Sequence, residues 1–461
     1  MSYKIVAKQP SILWSDINEI NDRIDAKYYH CDYMVFNIKN YGEFEIKSLK
    51  QCVNFFETGV SNFNDGNIKL KRLKTSNIQN GFILYQDLTD CVVPERDKKK
   101  ILCKGDVVLT TYGTGSIGKV AYVNFDTQII PDYTIAILRT KKTIDSGYLA
   151  SFLGSIYGKQ QIMRRVIGTS GITLVIKPHL IDIQIPIPSP EIQKYIGDKV
   201  RKAEELREEA KRLKKQAEEI LINEIGFNNV NKGNAKYHWI KEDIVDDRID
   251  SDFYDLKYQV LIEIEKKFNC YLMEDIIVDK YTGKTPGKEY DDIKGIPLIV
   301  VKNVEENILN LDNIDRRIKD NNSFKKTEEN DLLITRVGSV GVVSIVEENE
   351  KGLFLSDNVI CLKLKEGLFN RYIAFYLNSI YGKLMVERWT KGAVQGVINY
   401  ESINKFKIPI MDNNIMKEID LKILKWKQLL AISKQLIQEA KQDVEDLIEG
   451  NFDMSKVKAN S

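Results

Sequence analysis

Histidine is scarce in this 461-residue chain, with only His30, His179 and His238, and none lies in an HExxH or a Cys/His cluster. A metal site would therefore have to be built from carboxylates alone, and a nucleophile would find few bases to activate it. The six cysteines (Cys31, Cys52, Cys91, Cys103, Cys270, Cys361) are scattered and form no CxxC pair. That spacing excludes a zinc ribbon and a disulfide framework and suits a reducing compartment. Ten prolines include no Pro-Pro pair, so the Asp/Asn-Pro-Pro-aromatic motif of amino-methyltransferases is missing. No apolar run reaches the roughly 18 residues that a membrane span needs. The opening MSYKIVAKQPSILW lacks the apolar core of a signal peptide, so a cytoplasmic protein without membrane attachment is expected.

What is present is a globular composition, 43% hydrophobic and 29% charged, in a chain too long for one ordinary domain. The net charge of +2 conceals an asymmetry. Residues 1–188 carry 24 Lys+Arg against 18 Asp+Glu, a net of +6, whereas residues 226–411 carry 27 against 30, a net of −3. If both segments bind a polyanion, the second must do so through a local basic face or with a partner.

The chain repeats itself. Trp14 with Asp22-Arg23-Ile24-Asp25 recurs 225 residues later as Trp239 with Asp247-Arg248-Ile249-Asp250. Ser155-Ile-Tyr-Gly-Lys159 returns verbatim as Ser379-Ile-Tyr-Gly-Lys383, and Ile185-Pro186-Ile187 as Ile408-Pro409-Ile410. A collinear period of this size is a duplicated domain and not a solenoid.

Each repeat closes on a heptad pattern. In the first, Ala203, Ala210 and Ala217 are seven apart, with Leu206, Leu213 and Ile220 between them. In the second, Trp426, Ser433 and Ala440 alternate with Leu430, Ile437 and Val444. Such seams predict two long helices, ended by Gly226 and Gly450 as C-caps. Small residues in the first seam complement large ones in the second, so the helices are expected to pair with each other, antiparallel if the repeats are related by a two-fold. The alternative is two separate helices that each bind a partner. The organisation read from these patterns is a first domain over 1–188, a helix over 189–226, a second domain over 227–411, a helix over 412–450 and a flexible tail over 451–461.

Between the helices, β-rich runs (Asp106–Thr110, Val120–Val123, Tyr133–Leu138; Leu332–Thr335, Gly341–Val346, Val359–Leu364) alternate with turns, and helices are expected over Ser146–Arg165 and Phe369–Trp389. That predicts an irregular α+β fold and not a doubly wound parallel sheet. Gly113-Thr-Gly-Ser-Ile-Gly-Lys119 matches a phosphate-binding loop in spelling only. A strand-like Val120-Ala-Tyr follows where such a loop requires a helix, so a Gly-rich hairpin is expected and no nucleotide cofactor.

Polar and basic residues gather in loops. In the first repeat these are Lys71, Arg72, Lys74 and Asn77, then Arg96, Lys98 and Lys99, then Tyr112 and Lys119 beside the Gly-rich turn. In the second they are Lys302, Asn303, Arg316, Arg317, Arg336, Lys391 and Gln395. Arg suits guanine, Asn and Gln suit adenine, and Lys neutralises phosphate, so these are the candidate DNA-binding residues.

Taken together, the pattern resembles the specificity subunits of type I restriction–modification systems. The resemblance rests on Trp14…Arg23-Ile-Asp-x-x-Tyr28-Tyr29 and its repeat Trp239…Arg248-Ile-Asp-x-x-Phe253-Tyr254. It rests also on Ser76-Asn77-Ile78-x-x-Gly81, on Gly105-Asp106 before a strand and Gly-rich turn, and on Gly168…Ile185-Pro186 ahead of the helix. It spans essentially the whole chain and departs at Asn330, which stands in place of Gly105. It implies two target-recognition domains, each reading half of a split double-stranded DNA site, and paired helices that space them. It also implies docking of two methyltransferase subunits, which carry S-adenosylmethionine, and of restriction subunits through them. The chain itself would be non-catalytic and hold no cofactor. The alternatives are the specificity subunit of a system whose partner fuses methyltransferase and nuclease, a protein-interaction scaffold, and a freestanding enzyme.

Overall fold

The computed structural model describes residues 44–79, 81–85, 88–168, 173–226, 250–321, 323–390 and 396–458. Trp14, Arg23, Tyr28, Tyr29, Trp239 and Arg248 of the repeat motifs, and the candidates Lys391 and Gln395, lie outside the described residues. The chain divides into two compact units, Met1–Glu208 with Leu430–Ser461, and Glu209–Leu429.

In the first unit a four-stranded antiparallel sheet has the order Val53–Thr58, Ile135–Thr140, Val107–Thr110, Val120–Tyr122. Its strands are buried on both faces, Val107, Leu109, Ala136 and Leu138 to one core and Val108, Ala121, Ile135 and Ile137 to another. A second sheet sets Ile68–Leu73 between Thr89–Val93 (antiparallel) and Ile129–Pro131 (parallel). Two short ladders complete the domain, Glu45–Ser48 with Gln184–Ile187 and Ile78–Gln79 with Phe82–Ile83.

The second unit repeats this plan strand for strand. Its four-stranded sheet has the order Ile277–Thr282, Val359–Leu364, Leu332–Thr335, Val343–Ile345, and its three-stranded sheet sets Asp291–Ile299 between Arg317–Ile318 and Phe354–Leu355. The short ladders are Cys270–Leu272 with Lys407–Pro409 and Val304–Glu305 with Ile308–Leu309. Individual hydrogen bonds recur as well. Gly59 N donates to the Ile135 carbonyl and Gly283 N to that of Val359; Thr111 N donates to Thr134 and Arg336 N to Asn358. Gly105 and Asn330 hold the same left-handed turn, with φ of 92° and 68°, ahead of a strand whose first acid closes that turn. There Cys103 N donates to Asp106 Oδ2 at 2.9 Å, and Glu328 N donates to Asp331 Oδ2 at 2.8 Å. Asn tolerates left-handed backbone better than most residues, which is why the substitution for glycine is accommodated. The Gly-rich turns are hairpin connections in both units.

The helices expected over Ser146–Arg165 and Phe369–Trp389 are each two helices. They run Ser146–Gly154 then Ile156–Arg164, and Asn370–Asn378 then Ile380–Trp389. The break falls on Ser155 and Ser379, both extended (φ −70°, ψ 170° and φ −69°, ψ 171°), whose hydroxyls accept from Gly158 N and Gly382 N at 3.3 Å. This is an N-cap in mid-sequence, and the apolar periodicity that continues through it conceals the stop. A Cβ on Gly158 or Gly382 would overlap the Phe152 or Leu377 carbonyl, so the verbatim Ser-Ile-Tyr-Gly-Lys is a corner that neither copy can vary freely.

Long helices run over Pro190–Ile225 and Asn413–Glu449, each ending at a left-handed glycine, Gly226 (φ 76°) and Gly450 (φ 77°). They pair antiparallel. In the second unit Glu209 faces Lys425 at 2.9 Å and Gln216 faces Lys422 at 3.1 Å, so one helix ascends as the other descends. In the first unit Lys199 reaches Asp443 at 2.5 Å and Glu439 at 3.3 Å. Ala203, Ala210 and Ala217 are fully buried, as are Trp426, Ile437 and Val444, while Leu206, Leu213, Ile220 and Leu430 are half-buried at the seam's flanks. Ile437 packs against the backbone of Gly81, where a side chain would collide with it.

The tail is not loose through Lys458. Phe452 lies edge-on to Tyr195 with centroids 6.1 Å apart, Val457 joins the first core, and Lys456 pairs with Asp443 at 3.3 Å. Apolar residues in the tail and a buried carboxylate opposite them correct the expectation of a flexible segment there.

Candidate functional site

Three exposed basic residues of the first unit, Arg96, Lys98 and Lys99, sit together on a short 3-10 segment, Glu95–Lys100. Its place is fixed by one buried clamp. Arg139, on a strand of the four-stranded sheet, donates to Asp106 through Nε (2.8 Å) and Nη2 (3.2 Å). The same guanidinium donates to the carbonyls of Lys99 (2.8 Å) and Ile101 (2.6 Å), the C-terminal end of the segment. Burial pushes the Asp106 carboxyl above its ordinary range, and the hydrogen bonds from Arg139 and from Cys103 N oppose that push. Lys100 turns inward, donating to the Gly59 carbonyl at 3.1 Å and pairing with Asp97 at 3.5 Å. Arg96, Lys98 and Lys99 are left outside, with Arg96 79% exposed.

Between this segment and the loop Thr58–Asp65 lies an open cleft of about 360 Å³, whose rim includes Arg96, Asp65 and Tyr133. Tyr133 is 46% exposed and stands edge-on to Tyr112 with ring centroids 5.7 Å apart. Tyr133 was expected within a strand, but the strand begins at Ile135, and the Pro131-Asp132 pair before it marks the turn that sets the ring outside. Gly59 forms the floor, with its backbone so close to the Pro131 carbonyl that a Cβ would overlap it.

Other candidates serve the framework. Asn77 and Asn303 are buried, and their side-chain oxygens accept from Lys74 N and Val300 N at 3.0 Å each. Asn303 also donates to the carbonyls of Asn310 and Asn313. This corrects the expectation that they read adenine, because the amide that could match a base edge is spent closing a turn. Arg72 stacks over Phe63 at 4.2 Å and is paired with the buried Asp132, so it belongs to the domain interior. Arg316 is forked between Asp291 and the carbonyls of Pro286 (2.9 Å) and Gly287 (3.0 Å), which assigns it to holding a loop and not to reaching a base.

Lys71 pairs with Asp90 at 2.8 Å, Lys98 with Glu95 at 3.1 Å and Lys302 with Asp315 at 2.6 Å, all near the surface. Arg317 is exposed and donates to the Gly295 carbonyl at 3.2 Å. Lys74, Lys119 and Arg336 are half-buried. At the position equivalent to Tyr133 the second unit carries Asp357, which accepts from Thr285 Oγ1 at 2.5 Å. Lys284 and Lys288 are exposed nearby in sequence.

Among the described residues no cluster of three or more His, Cys, Asp and Glu side chains could hold a metal ion, and no helix is long and apolar enough to cross a membrane.

A family model described as the type I restriction modification DNA specificity domain matches twice, over residues 54–219 and 265–442. No curated protein matches the sequence. Among solved structures, a type I restriction–modification S subunit from M. genitalium is 13% identical, with 91% of this chain and 98% of that one covered and a TM-score of 0.45. The HsdS subunit from Thermoanaerobacter tengcongensis is 14% identical, with 89% and 98% covered and a TM-score of 0.30.

Proposed function

The chain belongs to the type I restriction–modification DNA specificity family, with two copies of the domain, and from that premise we propose that it reads a bipartite double-stranded DNA site, one domain per half-site. The observation that carries this reading is the duplication itself. Two domains keep one set of strands, turns and hydrogen bonds while the residues around their loops differ in size and charge. A protein that reads two unlike sequences through one frame needs that division.

The paired helices, about 54 Å long at 1.5 Å per residue, act as the ruler for the unread gap. Two methyltransferase subunits dock on the chain, bring S-adenosylmethionine and the methyl-transfer chemistry, and carry restriction subunits into the complex. The protein works in the cytoplasm, where its DNA is. Its own part is to bind and orient: exposed cations neutralise phosphates, and polar side chains held by the framework meet base edges.

The test is reconstitution of the full chain with the methyltransferase encoded beside it, followed by methylation-sensitive sequencing. One bipartite motif is expected, and lengthening both helices by one heptad is expected to change the gap while leaving both half-sites intact. Failure to methylate any bipartite motif defeats the reading, and altered bases inside a half-site defeat the ruler.

A further inference from the structure

We propose that the cleft of the first unit reads a G·C base pair in the major groove, with Arg96 donating to guanine, Asp65 accepting from cytosine and Tyr133 packing beside the pair. The inference rests on the reading of the chain as a DNA-specificity subunit and names the residues that give its first domain specificity.

Three features of the rim point this way. Arg96 is 79% exposed, and its ion-pair partner, Asp97, is a marginal 4.0 Å away and already pairs with Lys100. Its guanidinium is therefore available to a ligand. Asp65 is exposed, lines the same cleft and has no hydrogen-bond or ion-pair partner among the described residues. A carboxylate at that place repels a phosphate but accepts from an exocyclic amino group. Tyr133, supported edge-on by Tyr112, adds an exposed aromatic ring to the same lining.

In the major groove guanine presents two acceptors, N7 and O6, and cytosine presents an amino donor, so a guanidinium and a carboxylate lining one cleft match the two bases of one pair. An A·T pair offers a single acceptor beside the adenine amino group and leaves half of the Arg fork unmatched. Lys98 and Lys99 lie on the outer side of the same segment, where they suit the flanking phosphates.

The frame supports reading and not mere charge. The Arg139 clamp holds the Arg96 segment by two backbone carbonyls, and Lys100 ties it to the opposite loop at Gly59. Side chains borne on a fixed backbone discriminate; side chains on a mobile one only attract. The second unit keeps the floor glycine, Gly283, but carries Asp357 bound to Thr285 where the first has Tyr133. The cleft is thus particular to one half of the target.

The experiment uses the full chain assembled with its methyltransferase subunits and duplexes in which each half-site position is varied in turn. Competition binding and methylation give a discrimination ratio for every position in both halves. Arg96→Ala, Asp65→Ala and Tyr133→Ala are each expected to lower discrimination at one and the same G·C pair by roughly tenfold or more, the scale of a bidentate base contact. Discrimination in the other half should be unchanged, and this serves as the control for folding. If a variant binds no DNA, Arg96→Lys, which loses the fork, Asp65→Asn or Tyr133→Leu takes its place with the same readout.

The proposal is overturned if neither half requires a G·C pair, if the variants leave every ratio unchanged, or if both halves relax together. A wild-type complex that methylates no bipartite site fails the broader reading instead, so the two failures are distinguishable.

Discussion

Gly59 and Gly283 begin matching loops in the two units, each donating its N–H to the same sheet strand and each lying against a backbone carbonyl that leaves no room for a Cβ. Seventy-odd residues later the two units differ: Asp132-Tyr133-Thr134 presents an exposed ring, and Ser356-Asp357-Asn358 presents a carboxylate held by a threonine. The backbone bonds around these triplets are nevertheless the same, Ile135 N to the Asp132 carbonyl and Val359 N to that of Ser356. The lesson is that this fold separates what must be constant from what can vary at the level of single residues. Backbone hydrogen bonds and glycine corners carry the frame, and side chains one or two positions away are released to diverge.

The largest effects should therefore come from the shared frame and be equal in the two units. Gly59→Ala and Gly283→Ala each force a carbonyl aside, and each is expected to destabilise its unit by more than about 3 kcal/mol. Guanidinium titration of each variant, followed by limited proteolysis to identify the unit that opened, measures this. A large loss at one glycine and none at the other would show that the frames are less alike than their bonds suggest.

Along the long helices the two units share positions but not chemistry. Glu204 and Lys427 are matched residues, 223 apart, as are Ile196 and Ile419. Lys427 is satisfied, reaching Glu347 at 3.0 Å and the Ile345 carbonyl at 3.0 Å, and Glu347 is shared with Arg371. Arg371 in turn holds Asp420 at 3.3 Å. Arg371→Ala would take the cation from the buried Asp420 and leave Glu347 to Lys427 alone, and a loss of about 3 kcal/mol is expected. The corresponding anchor of the first unit, Arg201 with Asp145 and Asp198, is more exposed, and Arg201→Ala should cost about 1 kcal/mol. Equal losses in chemical denaturation would contradict this ranking.

Among the described residues Glu204 is paired only with Arg207, 3.9 Å away, whose guanidinium is stacked 3.5 Å from the centre of Phe82. Burial outweighs that cation and pushes the Glu204 carboxyl up to about 8. Its folded value thus lies above the unfolded one of about 4.3, so the folded chain holds a proton that the unfolded chain has lost. The first unit should lose stability as pH rises from about 4.5 to about 8 and level off above that. Glu204→Gln should flatten this dependence, equal wild type near pH 4.5 and gain up to roughly 5 kcal/mol at pH 8.5. Denaturant midpoints across that range decide it; a gain independent of pH would mean that the carboxyl titrates in the ordinary range.

The heptads and the duplication were legible because both are patterns of side-chain size repeated many times, and packing must obey them. The Ser155 corner was not, since one capping hydroxyl interrupts an apolar periodicity that goes on unchanged. Asn77 and Asn303 were misread for a chemical reason: the side-chain oxygen that could accept from adenine accepts equally well from a backbone N–H of a turn. Arg72 and Arg316 looked free because Asp132 and Asp291 are 60 and 25 residues away in sequence. Tyr133 was missed because an aromatic residue before Thr-Ile-Ala-Ile-Leu reads as strand core, and only Pro131-Asp132 signalled a turn. Pairing partners distant in sequence decide which charges remain for a ligand, and those are the part a sequence does not display.

The smallest expected effects lie at the exposed cations, where the comparison between units is most open to measurement. Each Lys that neutralises one phosphate contributes roughly 0.9 to the slope of log K against log salt. Lys99 is exposed at the cleft's outer edge, while Lys302 is paired with Asp315 at 2.6 Å and must give up that acid to reach DNA. In the assembled complex Lys99→Ala is expected to weaken cognate binding about fivefold at 0.15 M salt and to lower the slope by about 0.9. Lys302→Ala should weaken it by less than about twofold, with a slope change near zero, because a cation already neutralised by Asp315 contributes little to phosphate binding. Both measurements come from one set of salt-dependent binding titrations. Equal slopes for the two variants would mean that the acidic balance of the second unit, −3 against +6 in the first, is neutralised elsewhere on its surface and leaves no mark on how the halves share phosphate binding.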